Sequence, residues 1–530
     1  MFETVIRGGN VVDGTRSRAF RADVGISGDR ITAIGDLSAA ESRHTIDAFG
    51  QVVAPGFVDV HNHSDGWMIR EPLQTAKTLQ GFTTEVVLLD GIGYAPVNEQ
   101  TWREWFFYLR ALDGLRLSDY EGWQSMEDFG RRLDRRTTQN SMLHVPYANV
   151  RSLVCGFSSR PVDDFQMRSI RAEIRKGMEA GAVGLSTGLD YIVQCFATTQ
   201  ELIEACKVVA EFNGLYVPHI RYKLGMVPAL DEALHIARES GAHLHISHLK
   251  AGTGEAADIV LDWVEHARQE VSLSFDVYPY MPGSTMLNYL LPYEIWEHGP
   301  LAALGRLQAP DVQERFRDGL RDYKLDLDGI RIAWVQSKEN SVHQGSLLSE
   351  YVEFTGLPAE EALLNLLIEE RLAVLCVYLE GDDRLIDPFL QHDLYMMGSD
   401  GIYAEGGMIH PRQFGSAARL LGTCVREHGL MSIEDAVYKL SGHAADRFGI
   451  KDRGVICEGA VADVVVFQQD KVQDHATYDE PHLGATGISD VFVSGTAVVR
   501  EGKPVSFDGN SQLPGRFVRF ENGANDAAGE

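Results

Sequence analysis

Val52-Val53-Ala54-Pro55-Gly56-Phe57-Val58-Asp59-Val60-His61-Asn62-His63 is the stretch whose reading decides the fold of this chain. Its apolar run predicts a buried strand. Side chains on a strand alternate between faces, so His61 and His63, at i and i+2, project to the same side. Two imidazoles leaving one strand end together can hold a metal ion. Among 18 histidines an isolated His-x-His pair carries little weight. It gains weight from His219, His248 and Asp400, each of which also closes an apolar run. A satisfied core histidine explains any one of these positions, but not ligand-type side chains that recur at equivalent places.

Outward from that stretch, strands and helices alternate, the mark of a parallel α/β fold. Eight strands are predicted to end near His61, Leu89, Ala148, Ser186, His219, His248, Tyr278 and Ser399. Amphipathic helical stretches lie between them, among them Thr199 to Phe212, Val227 to Ser240 and Ala257 to Glu270. Eight such units predict a (β/α)8 TIM barrel over residues 55–454, whose chemistry gathers at the C-terminal strand ends. Residues 286–385 are too many for one βα unit and predict an inserted subdomain over that face. A second insertion, Asn98 to Asp119, is aromatic (Trp102, Trp105, Phe106, Phe107, Tyr108). It reads equally as a lid and as a helix on the barrel exterior.

Both ends of the chain have another texture. Residues 1–54 and 455–530 are rich in short strands, with Gly and Asp at joints that suit tight hairpins, as between Thr4–Gly9 and Asn10–Gly14. Neither end supplies area for its own core. Together they predict one small β-sandwich-like domain. The tail from Gly515, ending Ala524 to Glu530, is polar and small, and its last residues are predicted to fray.

The formal charge of −28 argues against nucleic acid and anionic membrane as partners, since both need basic surface. No run approaches the roughly 18 apolar residues of a membrane span. Met1-Phe2-Glu3-Thr4-Val5-Ile6-Arg7 lacks the pattern of a secretory signal. The six cysteines are scattered, with no CxxC, and read as reduced thiols of a cytoplasmic protein. A homo-oligomer is compatible with the sequence.

The run Pro55 to His63 resembles the opening of the amidohydrolase superfamily, and Ser441-Gly442-His443-Ala444-Ala445-Asp446-Arg447 with Arg453 to Val464 resembles its close. Within it the chain is similar to the D-aminoacylase (N-acyl-D-amino-acid deacylase) group. Gly81-Phe82-Thr83-Thr84, Gly184 to Leu189, Ile246-Ser247-His248-Leu249-Lys250, Tyr278-Pro279-Tyr280, Gly398-Ser399-Asp400-Gly401 and His410-Pro411-Arg412 carry the likeness, in family order. The resemblance implies that His61, His63, His219, His248 and Asp400 hold metal, one or two zinc ions, with Asp400 also the general base. Zinc chemistry suits the task, because the ion lowers the pKa of water and polarises a carbonyl. A carboxylate can take the water's proton and return it to the leaving amine.

The departures are as informative. Where the group carries a cysteine ligand, this chain has Asp90, a harder ligand that makes manganese or iron more plausible. Asp90 reads as a ligand, with a turn-capping role as the alternative. In that alternative Glu85 or water completes the shell; Glu85 lies mid-strand, at odd separation from Asp90. The fourth strand lacks the lysine that hydantoinases carry. Arg221 is followed by Tyr222 and Lys223 rather than Asn-Glu, Leu249 replaces a histidine, and Pro146-Tyr147-Ala148-Asn149 replaces a Gly-His.

The resemblance further implies that Tyr191, Lys250, Tyr278 and Ser284 contact the substrate carboxylate. Such groups can hold it by charge and hydrogen bonds. Arg412 either braces the site or meets the substrate. Members of the group that act on acidic D-amino acids carry an arginine after the Gly-Ser; none follows Gly283-Ser284, so the resemblance implies a neutral or apolar substrate side chain. The expected reaction is hydrolysis of a small linear amide, an N-acyl-D-amino acid foremost. The alternatives are a cyclic amide, imide or lactone on the same scaffold, and a non-catalytic scaffold protein.

Overall fold

A computed structural model of the chain describes residues 1–322, 325–508 and 512–521. The last residues of the tail, read as frayed, lie outside them. The barrel's first strand, Phe57–Asp59, pairs in parallel with Phe82–Val87, and that strand pairs with Asn140–Leu143. Val145–Pro146 continues the third strand and pairs with Gly184–Gly188. Leu215–His219, His243–Ile246, Leu273–Val277 and Tyr395–Met397 follow in order, all parallel. The ring closes where Val60 N–H donates to the Met397 carbonyl (3.1 Å) and Asn62–His63 pairs with Gly401–Ile402. The third strand ends at Pro146, short of the Ala148 predicted from sequence. Tyr147–Cys155 is helical, because Pro146 stands at its N-cap in extended geometry and directs the chain into it.

The helices outside the ring follow the sequence periodicity. Asp164–Glu179, Thr199–Glu211 and Gly254–Ala267 are each capped by a side chain, Asp163, Thr198 and Thr253, that accepts from a first-turn N–H. Their buried faces repeat at helical spacing: Leu202, Ala205, Cys206 and Val209 in the second, Ala257, Val260, Val264 and Ala267 in the third.

Both termini build one nine-stranded sheet, in which Val52–Pro55 pairs with Val464–Phe467. The sheet curls back on itself. Its edge strand Arg30–Gly35 reaches the segment before Val464, with Ile31 N–H donating to the Ala460 carbonyl (2.9 Å), around a core of Ile6, Val24, Ile26, Val464 and Phe492. Phe2–Val11 is one strand, not the two expected. The register shifts between Ile6 and Gly9, and Gly8, at φ +69°, forms a bulge rather than a hairpin turn. The last described residues leave this sheet. Ser141 N–H donates to the Arg516 carbonyl (2.9 Å), Phe520 N–H donates to the Gly181 carbonyl (2.9 Å), and Phe517 packs on Gly130, so the segment lies along the barrel.

Over the C-terminal mouth, Gly283–Met286, Val374–Tyr378 and Ile330–Val335 form a three-stranded antiparallel sheet. It shares one apolar cluster with the aromatic insertion. Trp105, Phe106, Phe107 and Tyr108 are buried in that cluster. The insertion therefore belongs to the cap on the site face, and its aromatic rings build the cap's core.

Candidate metal centre and active site

The first, second, fifth, sixth and eighth strands each deliver a ligand-type side chain to the barrel mouth, and Asp90 stands at their centre. Its Oδ1 lies 3.5 Å from His61 Nε2 and 3.8 Å from His248 Nε2. Its Oδ2 lies 3.6 Å from both His63 Nε2 and His219 Nδ1. Two ligands about 2.1 Å from a tetrahedral ion are about 3.4 Å apart, so these separations match a shared ion better than direct hydrogen bonds. Among the described residues two groups of mutually close ligand atoms form, His61–His63–Asp90 and Asp90–His219–His248. Asp90 belongs to both.

The backbone is bent to make this convergence. Leu88, Asp90, His248 and Asp400 all have positive φ, at 64°, 52°, 37° and 49°. Non-glycine residues rarely adopt this region, and those that do cluster at functional sites. The bend also ends the parity argument that set Asp90 against Glu85. Strand alternation stops at Val87, so Asp90 reaches the mouth while Glu85 points to a lower layer, accepting from Gln139 Nε2 (2.8 Å). Glu85 takes no part in either group.

Each of three imidazoles has its second nitrogen against an outer partner. His61 Nδ1 is 3.4 Å from Asp276, His63 Nδ1 is 3.3 Å from Asp113, and His248 Nδ1 is 3.1 Å from the Tyr222 hydroxyl. This is the usual setting of metal-binding histidine. His61 Nε2 and Asp90 Oδ1, 3.5 Å apart, are both buried without a hydrogen-bond partner, as are His61 Nδ1 and His63 Nδ1, while His219 Nδ1 and His248 Nε2 lie 3.0 Å apart. Buried polar atoms left this way are rare, and together with the Asp and His donor set they fit a divalent cation. Sequence reasoning missed Asp113 and Asp276, and met Tyr222 only as a departure from the group's pattern, not as a partner of His248. Asp276 left a trace as a carboxylate in the apolar run Leu273–Val277.

Asp400 stands beside the first group, its Oδ1 3.3 Å from His63 Nε2 and 3.8 Å from His61 Nε2, but belongs to neither group. Arg412 holds its Oδ2 at 2.9 Å. Burial alone would raise the Asp400 carboxyl; Arg412, with His63, outweighs it and holds the group far below the ordinary carboxylate range. Arg412 is fully buried, donates to the Ser284 carbonyl (3.2 Å) and does not line the cavity. This position supports the bracing reading.

The cavity above the cluster has a volume of about 610 Å³. Tyr191, Lys250, Tyr278 and Ser284 all line it. Lys250 Nζ donates to Tyr278 OH (2.7 Å) and to the Met281 carbonyl (2.6 Å), and burial pushes its ammonium down to about 7. Tyr191 OH pairs with Thr285 Oγ1 at 2.9 Å, and Ser284 Oγ donates to the Cys376 carbonyl at 2.7 Å. The remaining wall is largely apolar, with Leu112, Met226, Met281 and Leu290. Leu112 ties the aromatic insertion to the cavity, next to Asp113. Lys223 also lines it, but its ammonium is engaged by the Tyr289 carbonyl (3.1 Å) and stacks over the Tyr289 and Tyr293 rings.

Comparison with known proteins places this geometry. The model of the amidohydrolase family matches residues 391–505. An N-acyl-D-glutamate deacylase of Alcaligenes xylosoxydans xylosoxydans is 34% identical over 527 residues, covering 98% of this chain and 96% of the relative. A D-aminoacylase of the same organism is 32% identical, covering 94% and 95%. The crystal structure of N-acyl-D-glutamate deacylase from Bordetella bronchiseptica, complexed with zinc and a phosphonate inhibitor, superposes with a TM-score of 0.81 at 31% identity, covering 98% and 99% of the two chains. With near-full-length identity above 30% and the same barrel, the chain belongs to the D-aminoacylase group of the amidohydrolase family.

Proposed function

We propose that this protein hydrolyses the linear amide of an N-acyl-D-amino acid, using one or two divalent ions, zinc foremost, held by His61, His63, Asp90, His219 and His248. The observation that carries the reading is the pair of ligand groups sharing the Asp90 carboxylate. A divalent ion bound there supplies Lewis acidity, lowering the pKa of water and polarising a carbonyl. The harder carboxylate in place of a thiolate keeps manganese and iron in contention. Asp400 Oδ1 faces the cluster and serves as the base that takes the proton of the attacking water. Arg412 fixes Oδ2, so the same carboxyl is aimed to return that proton to the leaving nitrogen.

Lys250 and Tyr278, with Tyr191 and Ser284 on the same walls, hold the substrate α-carboxylate. The apolar wall of Leu112, Met226, Met281 and Leu290 takes a neutral side chain. No helix is long and apolar enough to cross a membrane among the described residues, and all six cysteines are free, which fits a cytoplasmic enzyme of small molecules. The test combines metal analysis with a screen of N-acetyl-D- and L-amino acids bearing apolar and acidic side chains. Apolar D-substrates are expected to lead, and chelator-stripped protein to be inactive until metal is restored. Full activity without detectable metal, or a preference for L-substrates, overturns the reading. Asp90→Ala is expected to lower bound metal, and Asp90→Cys to restore it with a stronger zinc preference.

A further inference from the structure

We propose that a hydrogen-bond chain, Arg447–Ser274–His245–Asp276, buried from Ser274 inward, positions His61 and His248 for metal from the far end of the barrel. Arg447 closes the helix Gly442–Arg447, in a motif to which the reaction assigns no task. Its guanidinium is fixed by the Ser272 hydroxyl (2.6 Å) and the Leu244 carbonyl (2.7 Å), below the sixth and seventh strands. From there Arg447 Nε donates to Ser274 Oγ (2.8 Å), which pairs with His245 Nδ1 (2.8 Å). His245 Nε2 reaches Asp276 Oδ2 (2.9 Å), and the same oxygen lies 3.4 Å from His61 Nδ1. Asp276 Oδ1 accepts from the backbone N–H of His248 (2.9 Å). Ser274, Asp276 and Tyr278 alternate onto one face of the seventh strand, so the chain runs up the bore toward the cavity.

The chemistry of its two ends sets its direction. A guanidinium only donates and an ionised carboxylate only accepts. Ser274 therefore gives its proton to His245 Nδ1, which leaves His245 with its proton on Nε2, facing Asp276. Asp276 Oδ2, 3.4 Å from His61 Nδ1, favours by its charge the tautomer with the proton on Nδ1, which leaves the lone pair of His61 Nε2 facing Asp90 and Asp400. One carboxylate thus orients the ring of a first-strand histidine by charge and holds the backbone of a sixth-strand one by a hydrogen bond. Asp276 and His245 are positioning residues, and their role rests on the metal reading given above.

The test is competition for zinc between a chelator and four proteins: wild type, His245→Leu, His245→Gln and Ser274→Ala, with kcat and KM measured alongside. Glutamine keeps an N–H where His245 Nε2–H points, and leucine does not. His245→Leu is expected to bind zinc 10- to 100-fold more weakly, the usual effect of losing an outer partner. Its kcat is expected to fall while KM stays within about twofold, and His245→Gln to recover most of both losses. Ser274→Ala is expected to shift zinc affinity in the same direction by less. If wild type binds no zinc, the metal reading itself falls. If wild type binds zinc and His245→Leu matches its affinity, or Leu and Gln weaken it equally, the positioning role falls alone. Should His245→Leu not fold, Ser274→Ala with wild-type zinc affinity overturns the proposal in the same way.

Discussion

Two buried polar clusters share one barrel and differ in how their atoms are used. At the mouth, imidazoles and carboxylates converge on Asp90, with His61 Nε2 and Asp90 Oδ1 unpartnered and facing each other at 3.5 Å. Two residues lower on the face of His61, Asp59 is enclosed instead. Lys77 and the Ser399 hydroxyl (2.5 Å) contact its Oδ2, and Ser399 N–H donates to its Oδ1 (2.8 Å). Lys77 also donates to Ser399 Oγ (2.6 Å) and faces Glu85 at 3.6 Å. Both clusters are buried and charged, so burial and charge do not separate a site from a scaffold. The separating property is where donor and acceptor capacity is left over, and whether the leftover atoms aim at one point.

Substitutions can break that contrast. The largest effect is expected from Asp400→Asn, which leaves the mouth without the base proposed for it. Its kcat is expected to fall by about 10²–10⁴-fold while thermal melting and bound metal stay close to wild type. A variant with near wild-type kcat places the base elsewhere, with Asp90 next in line. In the lower cluster the effect is expected to fall on stability instead. Lys77→Met strands the Asp59 carboxylate in the bore, and breaking such a buried pair costs about 3–5 kcal/mol. Urea unfolding checks this. Turnover per folded molecule, measured well below the melting transition, is expected to stay within about threefold of wild type.

Lys250→Met sharpens the comparison inside the mouth, since Lys250 belongs to the cavity wall and not to the ligand set. Loss of one charge-assisted contact of about 1.5–3 kcal/mol is expected to raise KM by roughly 10- to 100-fold, with kcat changed less. Equal losses in both parameters remove it from substrate binding. The smallest effect concerns Glu85, the loose end of the lower cluster. Burial, only partly offset by Lys77, pushes its carboxyl up to about 8 from 4.5. The folded protein therefore keeps a proton that the unfolded chain releases, and stability falls as pH rises from about 4.5 to about 8. Glu85→Gln removes the titration. It is expected to flatten that slope and raise Tm at pH 8 by roughly 2 °C or more, with activity unchanged. An unaltered pH slope sinks the assignment.

The contrast also marks what a sequence can show. His61, His63, His219, His248 and Asp400 were legible because each ends an apolar run, where strand periodicity predicts both the element and the direction of the side chain. Asp90 was legible as a candidate only through its place after Gly81-Phe82-Thr83-Thr84, and its central position needed the positive φ that no periodicity predicts. Asp113 reaches His63 from an aromatic insertion, and Lys77 reaches Asp59 from a short helix, Thr75–Thr78. Neither lies at a spacing that signals a partner. The bulge at Gly8 and the return of residues 512–521 along the barrel are likewise tertiary outcomes, set by what each segment finds to pair with.

The sheet made from both termini has a consequence for how the protein is synthesised. Val52–Pro55 needs Val464–Phe467 beside it, and Ser141 and Gly181 bond to Arg516 and Phe520, which leave the ribosome long after them. Neither the accessory sheet nor that flank of the barrel can finish until those later residues have been made. Val52–Pro55, wholly apolar, waits meanwhile with an unpaired edge, the kind of edge that recruits other chains. Pairings this distant in sequence form slowly. Yield in a heterologous host is therefore expected to depend on temperature and chaperone supply more than on the stability of the finished molecule.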